Sequence, residues 1–185
     1  LMIVMKFGGT SAQDAAAMLN VTQIVKTNRD KKRVVVISAI ARATNQLELI
    51  GKLARQNKMQ EAGEILKNLL DRHSNILDQA VKDPARKSHL ISRLTSAQNE
   101  IADLIKGVAI IQELTPKTLD RFYSYGELLS SSLVVAIMQE AGLDAVWIDT
   151  KDFMITDNNF NRAMPIMELV EQKLQALALD PVNKD

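Results

Sequence analysis

The chain opens with a short apolar run that leads directly into two adjacent glycines and then into a segment with helical character. Residues 1–7 are typical of a β-strand, the pair Gly8-Gly9 follows, and residues 12–28 are predicted to form a helix. Because glycine has no Cβ, such a turn lets an anion approach its N–H groups, and the helix start adds further free donors. Lys6 brings a positive charge to the end of the strand, and Ser11 is placed to cap the helix. A phosphate-binding turn fits these residues, and so does an ordinary tight turn beside a surface lysine.

Composition places the chain among soluble globular proteins and excludes several kinds of site. Its 185 residues suffice for one domain with a core, and a formal net charge of +1 gives no global field that would attract nucleic acid or a membrane surface. There is no cysteine, so disulfides and thiolate sites are excluded, and His73 and His89 are expected to form a surface pair and no metal site. The apolar runs are too short to span a bilayer. We expect a cytoplasmic enzyme or binding domain without nucleic-acid or membrane partners.

Three β-type runs predict a parallel sheet. They cover residues 1–7, 33–40 and 145–149, and a helix lies between the first two. That order predicts a right-handed parallel crossover. The second run contains Val-Val-Val-Ile without polar alternation, which is typical of a strand buried on both faces.

A helical insertion is predicted after the second strand. From about residue 45 to residue 112, apolar residues recur at helical spacing, which predicts two or three long amphipathic helices, with an antiparallel pair among them. The leucines of this stretch are expected to serve packing. The fold predicted for residues 1–185 is therefore α/β, a three-layer sandwich with a mainly parallel central sheet and this insertion.

Three more helices are predicted after the insertion. One begins at Thr115-Pro116, a second covers residues 128–139 and ends at Gly142, and the last covers residues 165–179. A polar segment, residues 180–185, follows the last helix.

Two further segments carry residues suited to a polar ligand. Ser38 and Thr44 follow the second strand, at the edge where ligands bind in parallel α/β sheets, although Thr44 is equally suited to cap the next helix. Gly126 and Glu127 precede an apolar helix, where the glycine would let a ligand approach and the glutamate would pair with an ammonium group. A glutamate in the first turn of a helix is also favourable for the helix itself, so both interpretations stay open.

Four motifs give the chain a resemblance to the aspartokinases, in the order that this family shows. They are Lys-Phe-Gly-Gly-Thr-Ser at residues 6–11, Ser-Ala-x(4)-Thr-Asn at 38–45, Ser-x-Gly-Glu at 124–127 and Thr-Asp-x-x-Phe-x-Arg-Ala at 156–163. The resemblance spans essentially the whole chain and implies the amino-acid kinase fold. It also implies transfer of the γ-phosphoryl group of ATP to the side-chain carboxylate of L-aspartate, the first step of lysine, threonine and methionine biosynthesis.

The same resemblance implies roles for individual residues. The ATP- and phosphate-binding positions of the family match Lys6, Phe7, Gly8 and Gly9, and Lys6 would be the catalytic charge on the transferring phosphoryl group. The aspartate-binding positions match Ser38, Thr44 and Glu127, with Glu127 on the α-ammonium group. Because a carboxylate is already a nucleophile, positioning and charge stabilisation supply the catalysis. Mg²⁺ is implied with ATP, held mainly by the nucleotide, and the chain is expected to provide no metal site of its own.

The chain also departs from the family pattern. Arg42 stands where a glycine is usual before Thr-Asn, and Asn161 replaces the glycine of Phe-Gly-Arg-Ala, a mild change because asparagine tolerates a left-handed backbone. The glycine-rich motifs of the family's nucleotide-binding lobe and its regulatory ACT domains do not occur in residues 1–185. The resemblance therefore implies the amino-terminal lobe of a longer, homo-oligomeric enzyme, and we expect the lobe alone to be inactive.

Two other functions stay open from the sequence. The chain could be a non-catalytic module that binds aspartate at most, or part of a kinase that acts on glutamate or acetylglutamate. Ser124-x-Gly126-Glu127 together with Thr44-Asn45 argues against the second of these.

Overall fold

Two parallel strands joined through a helix form the first part of the fold. Strand β1 is Met2–Phe7 and strand β2 is Lys32–Ile37, and the two pair residue by residue in parallel. Helix α1, Ala15–Thr27, connects them. Since parallel strands cannot be joined by a tight hairpin, the helical crossover is what this pairing requires. The predicted β-α-β order is confirmed.

The computed structural model describes residues 2–28 and 30–178. The expectations for Leu1, Leu179 and the polar segment 180–185 therefore lie outside the described residues. The described chain forms two compact units that divide between Val146 and Trp147.

The turn between β1 and α1 is longer than the sequence predicted. A short 3-10 helix, Gly9–Ala12, follows the strand, and α1 begins only after Asp14, whose carboxylate accepts a hydrogen bond from the Ala17 N–H at 2.8 Å. The prediction that Ser11 caps this helix is wrong, because the capping position belongs to Asp14, and Ser11 lies in the preceding 3-10 turn, where its N–H donates to the Gly8 carbonyl at 3.0 Å. A carboxylate also interacts more favourably than a hydroxyl with the positive end of the helix dipole.

One face of the two-stranded sheet packs on the helices and the other is exposed. The inward side chains that contact the core are Met5, Phe7, Val35 and Ile37. On the outward face Val34 and Val36 are 45% and 41% exposed, so the prediction that β2 is buried on both faces is wrong for the described residues. The valines are all apolar, but a pleated strand sends alternate side chains to opposite faces, and the described chain covers only one of them.

The predicted third strand at residues 145–149 does not form. Residues 143–149 are neither strand nor helix, and the described residues contain a sheet of two strands, β1 and β2. A strand is defined by hydrogen bonds to a neighbouring strand, and an apolar β-branched run without such a neighbour stays irregular. The α/β class is confirmed with the two strands that do pair.

The helical insertion is confirmed as three long helices. They are α2, Ala43–Arg55, α3, Met59–Ala80, and α4, Pro84–Ile111. Helices α3 and α4 are antiparallel, since Asp78 near the end of α3 pairs with Lys87 near the start of α4 at 2.7 Å. The leucines of the predicted insertion, residues 45–112, are buried at most positions, among them Leu53, Leu66, Leu69, Leu77, Leu90 and Leu94.

The segment after the insertion forms one helix where two were predicted. Helix α5, Pro116–Glu140, is capped by the Thr115 hydroxyl, which accepts from the Thr118 N–H, and it runs without a break through Gly126. A glycine inside a helix costs only about 1 kcal/mol, which buried contacts offset. The predicted end at Gly142 is confirmed, because its φ of 78° is left-handed and terminates the helix.

Beyond Val146 the described chain holds a single α-helix, α6. It covers Met167–Ala178, close to the predicted last helix, and a 3-10 turn at Thr150–Asp152 lies before it. Of the helices in the described part of the chain, none combines the length and hydropathy that a membrane span requires.

His73 is buried inside the helical layer. Its ring is fully covered, with Nδ1 2.8 Å from the Leu69 carbonyl oxygen, and among the described residues its Nε2 has no hydrogen-bond partner. Burial, with a smaller contribution from the Arg72 charge, lowers the pKa of His73 to about 4, although the bond to Leu69 opposes this shift. The expectation of a surface histidine pair is therefore wrong for His73, while His89 is exposed.

We predict that His73 weakens the fold in acid. The unfolded chain binds a proton at this ring as the pH falls from 6.5 towards about 4, whereas the folded chain does not, so stability present above this range is lost within it. The full contribution of this group is about 3 kcal/mol. Urea unfolding at about pH 7 and about pH 4.5 should show a smaller acid loss in His73→Leu than in the native chain. His89→Gln is the control and should keep the native pH dependence; equal losses in all three proteins would contradict the prediction.

Candidate functional site

The glycine turn after β1 packs directly on the turn after β2. A Cβ placed on Gly9 would lie 3.0 Å from the Ala39 carbonyl oxygen and 3.5 Å from the Cα of Ala41, so any other residue would require the turn after β2 to shift. The Ser38 N–H continues the sheet ladder by donating to the Phe7 carbonyl at 3.1 Å. The carboxyl ends of both strands therefore present their turns at one edge, where parallel α/β sheets bind ligands.

Helix α5 reaches the same edge through polar side chains. The Ala39 N–H donates to Glu127 Oε1 at 3.3 Å, and the Ser130 hydroxyl donates to the Ser38 carbonyl at 2.8 Å. Glu127 lies in the middle of α5 and not in its first turn, so the alternative that it serves the helix dipole is wrong. One carboxylate oxygen holds the turn after β2, and the exposed side chain leaves the other available.

Gly126 serves packing, not ligand access. It is buried, and a Cβ on it would lie 2.8 Å from the Ala39 Cβ, which is closer than any real carbon contact. The prediction that this glycine lets a ligand approach is therefore wrong. Its missing side chain is what allows α5 to lie against the turn after β2 and to bring Glu127 into range of the Ala39 N–H.

Lys6 and Phe7 have different environments at the end of β1. The Phe7 ring is half-buried and packs on the core, whereas Lys6 is exposed on the outward face of the sheet. Within residues 2–28 and 30–146 the Lys6 ammonium group makes no hydrogen bond or ion pair. It is therefore free to neutralise an anion that binds at the glycine turn.

Thr44 is the second residue of α2 and is exposed. The alternative that it caps this helix is wrong, because the capping position belongs to Arg42, whose φ is 68° and whose side chain makes no capping bond. In the same part of the described chain the Ser38 hydroxyl has no partner. Both hydroxyls are thus available at the edge where the two turns meet.

Sequence reasoning missed Arg72 and Ser130. From α3, Arg72 donates through Nη2 to the Ala41 carbonyl at 2.8 Å and through Nη1 to Gln46 Oε1 at 2.9 Å. Burial lowers the pKa of Arg72, and the nearby charge of Arg42 lowers it further. The sequence offers one signal for Arg72, which is its place next to the buried residues of α3. A charged side chain occupies such a position only when it has hydrogen-bond partners.

The fourth motif forms a closed turn within the second unit. The Asp157 N–H donates to the Met164 carbonyl at 3.0 Å, and the Asp157 carboxylate accepts from the Asn159 N–H at 2.9 Å. Asn161 has a φ of 65°, so the expectation that it tolerates a left-handed backbone at this glycine position is confirmed. The arginine that follows it, Arg162, is exposed.

The described residues contain no cluster of three or more histidine, aspartate or glutamate side chains that could hold a metal ion. The polar groups near the sheet edge are instead glycine N–H groups, two hydroxyls and one lysine, which can donate, and one carboxylate, which accepts. Such a set suits an anionic group on one side and an ammonium group on the other.

Comparison with known proteins assigns the family. A family model described as the amino acid kinase family matches residues 2–180. The chain belongs to the amino acid kinase family. The match extends over both compact units and includes all four motifs.

The relatives of this chain include aspartokinases. It is 32% identical over 162 residues to aspartokinase 1, chloroplastic, of Arabidopsis thaliana, a match that covers 85% of this chain and 27% of the relative. It is 30% identical over 184 residues to the lysine-sensitive aspartokinase 3 of Escherichia coli (strain K12), covering 97% and 37%. The crystal structure of E. coli aspartokinase III in complex with aspartate and ADP superimposes with a TM-score of 0.83 at 29% identity, covering 98% of this chain and 38% of that one.

The resemblance to aspartokinases is thus confirmed, together with the α/β fold. The chain spans about a third of the length of the relatives it matches.

We predict that the amino acid kinase fold depends on the absence of a side chain at Gly126. In Gly126→Ala the new Cβ meets the Ala39 Cβ at 2.8 Å, and overpacking of this kind lowers the free energy of unfolding by about 1–3 kcal/mol. Gly107→Ala is the matched control, because Gly107 lies in helix α4 with no atom within 4 Å of an added Cβ, and it should gain up to about 1 kcal/mol. Denaturant unfolding of both variants measures the difference. If Gly126→Ala stabilised the protein as much as Gly107→Ala does, helix α5 could move away from Ala39 without cost, and the prediction would be contradicted.

Proposed function

We propose that this chain forms the aspartate-binding and phosphoryl-binding part of an ATP-dependent aspartate kinase. The observation that carries the proposal is the meeting of three segments at one sheet edge: the glycine turn after β1, the turn after β2, and Glu127 of α5. Gly9 packs on Ala39, and Ala39 in turn donates to Glu127. The proposal also draws on the similar E. coli enzyme, whose structure contains aspartate and ADP.

The proposed reaction is phosphoryl transfer to a carboxylate. A side-chain carboxylate oxygen of L-aspartate forms a bond to the γ-phosphorus of ATP, the bond from this phosphorus to the β-γ bridging oxygen breaks, and ADP leaves with that electron pair. No proton has to be removed, because the nucleophile is already an anion. The protein has to place the reactants and to stabilise the charge that develops on the transferring group.

The chain's residues divide between the two reactants in this proposal. Lys6 and the N–H groups of Gly8 and Gly9 stabilise the transferring phosphoryl group. The hydroxyls of Ser38 and Thr44 donate to the carboxylates of aspartate. Glu127 holds the α-ammonium group with the oxygen that does not bind Ala39. Phe7 packs on the core and fixes the end of β1 that carries Lys6.

The proposal extends to the setting of the reaction. Mg²⁺ is held mainly by the phosphates of ATP, where it neutralises charge on the transferring group. The product, 4-phospho-L-aspartate, is an activated acyl phosphate that begins the biosynthesis of lysine, threonine and methionine. We place this reaction in the cytoplasm, where ATP and free aspartate are available, and we expect the whole enzyme to be a homo-oligomer.

We predict aspartate-dependent turnover by the protein expressed from its complete reading frame. With ATP, Mg²⁺ and hydroxylamine, L-aspartate should give the hydroxamate, whereas L-glutamate and N-acetylglutamate should not. Residues 1–185 alone should give no hydroxamate.

Lys6→Ala should lower kcat of the complete protein about 100-fold or more, since one electrostatic contact of this kind contributes roughly 3–4 kcal/mol. Lys32→Ala, at the other end of the same sheet face, should keep native kcat. Product from glutamate and none from aspartate would overturn the proposal.

A second prediction concerns Glu127. In Glu127→Gln the amide oxygen still accepts from the Ala39 N–H, so the turn is kept, but the charge that pairs with the α-ammonium group is lost. KM for aspartate should rise about 10-fold or more with a smaller effect on KM for ATP, because charged hydrogen bonds contribute about 1.5–3 kcal/mol. Glu64→Gln, on the exposed side of α3, is the control for loss of one charge. An unchanged KM for aspartate would assign Glu127 a purely structural role.

A further inference from the structure

Two arginines meet at the turn after β2. Arg72 reaches across from α3 and fixes this turn through its bonds to the Ala41 carbonyl and to Gln46. Arg42 follows Ala41 directly, at the start of α2. Burial lowers the pKa of Arg72, and the positive charge of Arg42 lowers it further.

No ion pair in the described part of the first unit balances these two positive charges. Among the ion pairs of residues 2–28 and 30–146, none includes Arg42 or Arg72. Two like charges at short distance repel each other, and the partial burial of Arg72 reduces screening by water. An anion held between or beside the two groups would remove this repulsion.

The backbone of Arg42 is also unfavourable for an arginine. Its φ of 68° is left-handed, a conformation that glycine adopts freely and that a residue with a Cβ adopts at a cost. A glycine would therefore suit the turn better, and glycine is what the resembling family usually carries at this position. An arginine held in such a conformation is a candidate for a role of its guanidinium group, since backbone strain is typical of functional sites.

The position of the turn places this charge beside the proposed site. Ala41 lies against Gly9, whose added Cβ would be 3.5 Å from the Ala41 Cα. Thr44 stands two residues after Arg42, in the first turn of α2. Arg42 is exposed, so its side chain is accessible to a ligand from solvent.

We propose that Arg42 is a substrate-binding residue, which holds an oxyanion of a reactant from a turn that Arg72 fixes in place. The inference rests on the proposed function, because the oxyanion is a carboxylate of the amino-acid substrate or a phosphate of the nucleotide. Both groups match the planar guanidinium fork, which donates two parallel hydrogen bonds to either of them. Arg72 acts as a positioning residue, since one N–H of each terminal nitrogen donates to the turn or to α2, at the Ala41 carbonyl and at Gln46.

The test compares binding and stability in Arg42→Gly. Titration calorimetry on the protein from the complete reading frame uses succinate as a dicarboxylate without an ammonium group and inorganic pyrophosphate as the phosphate probe. We expect the dissociation constant for one of them to rise about 10-fold or more, as for loss of a charged hydrogen bond. Without ligand, the melting temperature should rise by about 2–4 °C, because glycine relieves the left-handed backbone and the charge repulsion is removed. If Arg42 had a purely structural role, Arg42→Gly would not weaken ligand binding and raise the melting temperature at the same time.

Two further variants sharpen the result. Arg55→Gln, in the last turn of the same helix, removes one exposed charge and should bind both probes like the native protein. Arg42→Lys keeps the charge but loses the fork, and should bind with intermediate affinity.

Each outcome decides the proposal. Weaker binding of succinate alone assigns Arg42 to a carboxylate, and weaker binding of pyrophosphate alone assigns it to a phosphate. Binding of both probes within about twofold of native affinity would overturn the inference, as would a native protein that binds neither. These titrations need no turnover, so a protein that fails to phosphorylate aspartate contradicts the proposed function and leaves the result for Arg42 readable.

Discussion

The contact between helix α5 and the turn after β2 is the interaction on which the described site depends. Gly126 admits the Ala39 side chain, Glu127 accepts from the Ala39 N–H, and Ser130 donates to the Ser38 carbonyl. The same turn lies against Gly9 on its other side. One short segment between β2 and α2 is therefore the common neighbour of every other part of the site, and its backbone position determines the distances among them.

Local sequence patterns predicted much of the fold. The glycine turn, both paired strands and the helical insertion each leave a signal within a few residues, because strand runs and helical periodicity depend on near neighbours. The predictions that were wrong depend on distant contacts. A third strand lacks a partner in the described chain, and Gly126 continues a helix that packs on Ala39. His73 is buried by the packing of helices against one another, which the local sequence does not reveal.

In the candidate site, too, the sequence reveals some residues and only the structure reveals the others. Lys6, Thr44 and Glu127 could be named from motifs, because each lies in a short pattern next to a recognisable strand or glycine. Arg72 could not, since it lies more than twenty residues along the chain from the turn that it fixes and carries no motif. The backbone of Arg42 likewise becomes visible only in three dimensions, where its left-handed φ distinguishes it from the other residues of the turn.

The uncovered face of the sheet has a consequence for the chemistry of Lys6. Val4 precedes Lys6 on this face, and Val34 and Val36 lie on it from the neighbouring strand, so the ammonium group emerges from an apolar surface. Two unit charges about 4 Å apart interact by about 1 kcal/mol in water and by about 4 kcal/mol at an effective dielectric constant of about 20. Whatever excludes water from these valines will therefore determine how strongly Lys6 acts on a phosphate, and the apolar character of the strand becomes a means of tuning an electrostatic interaction.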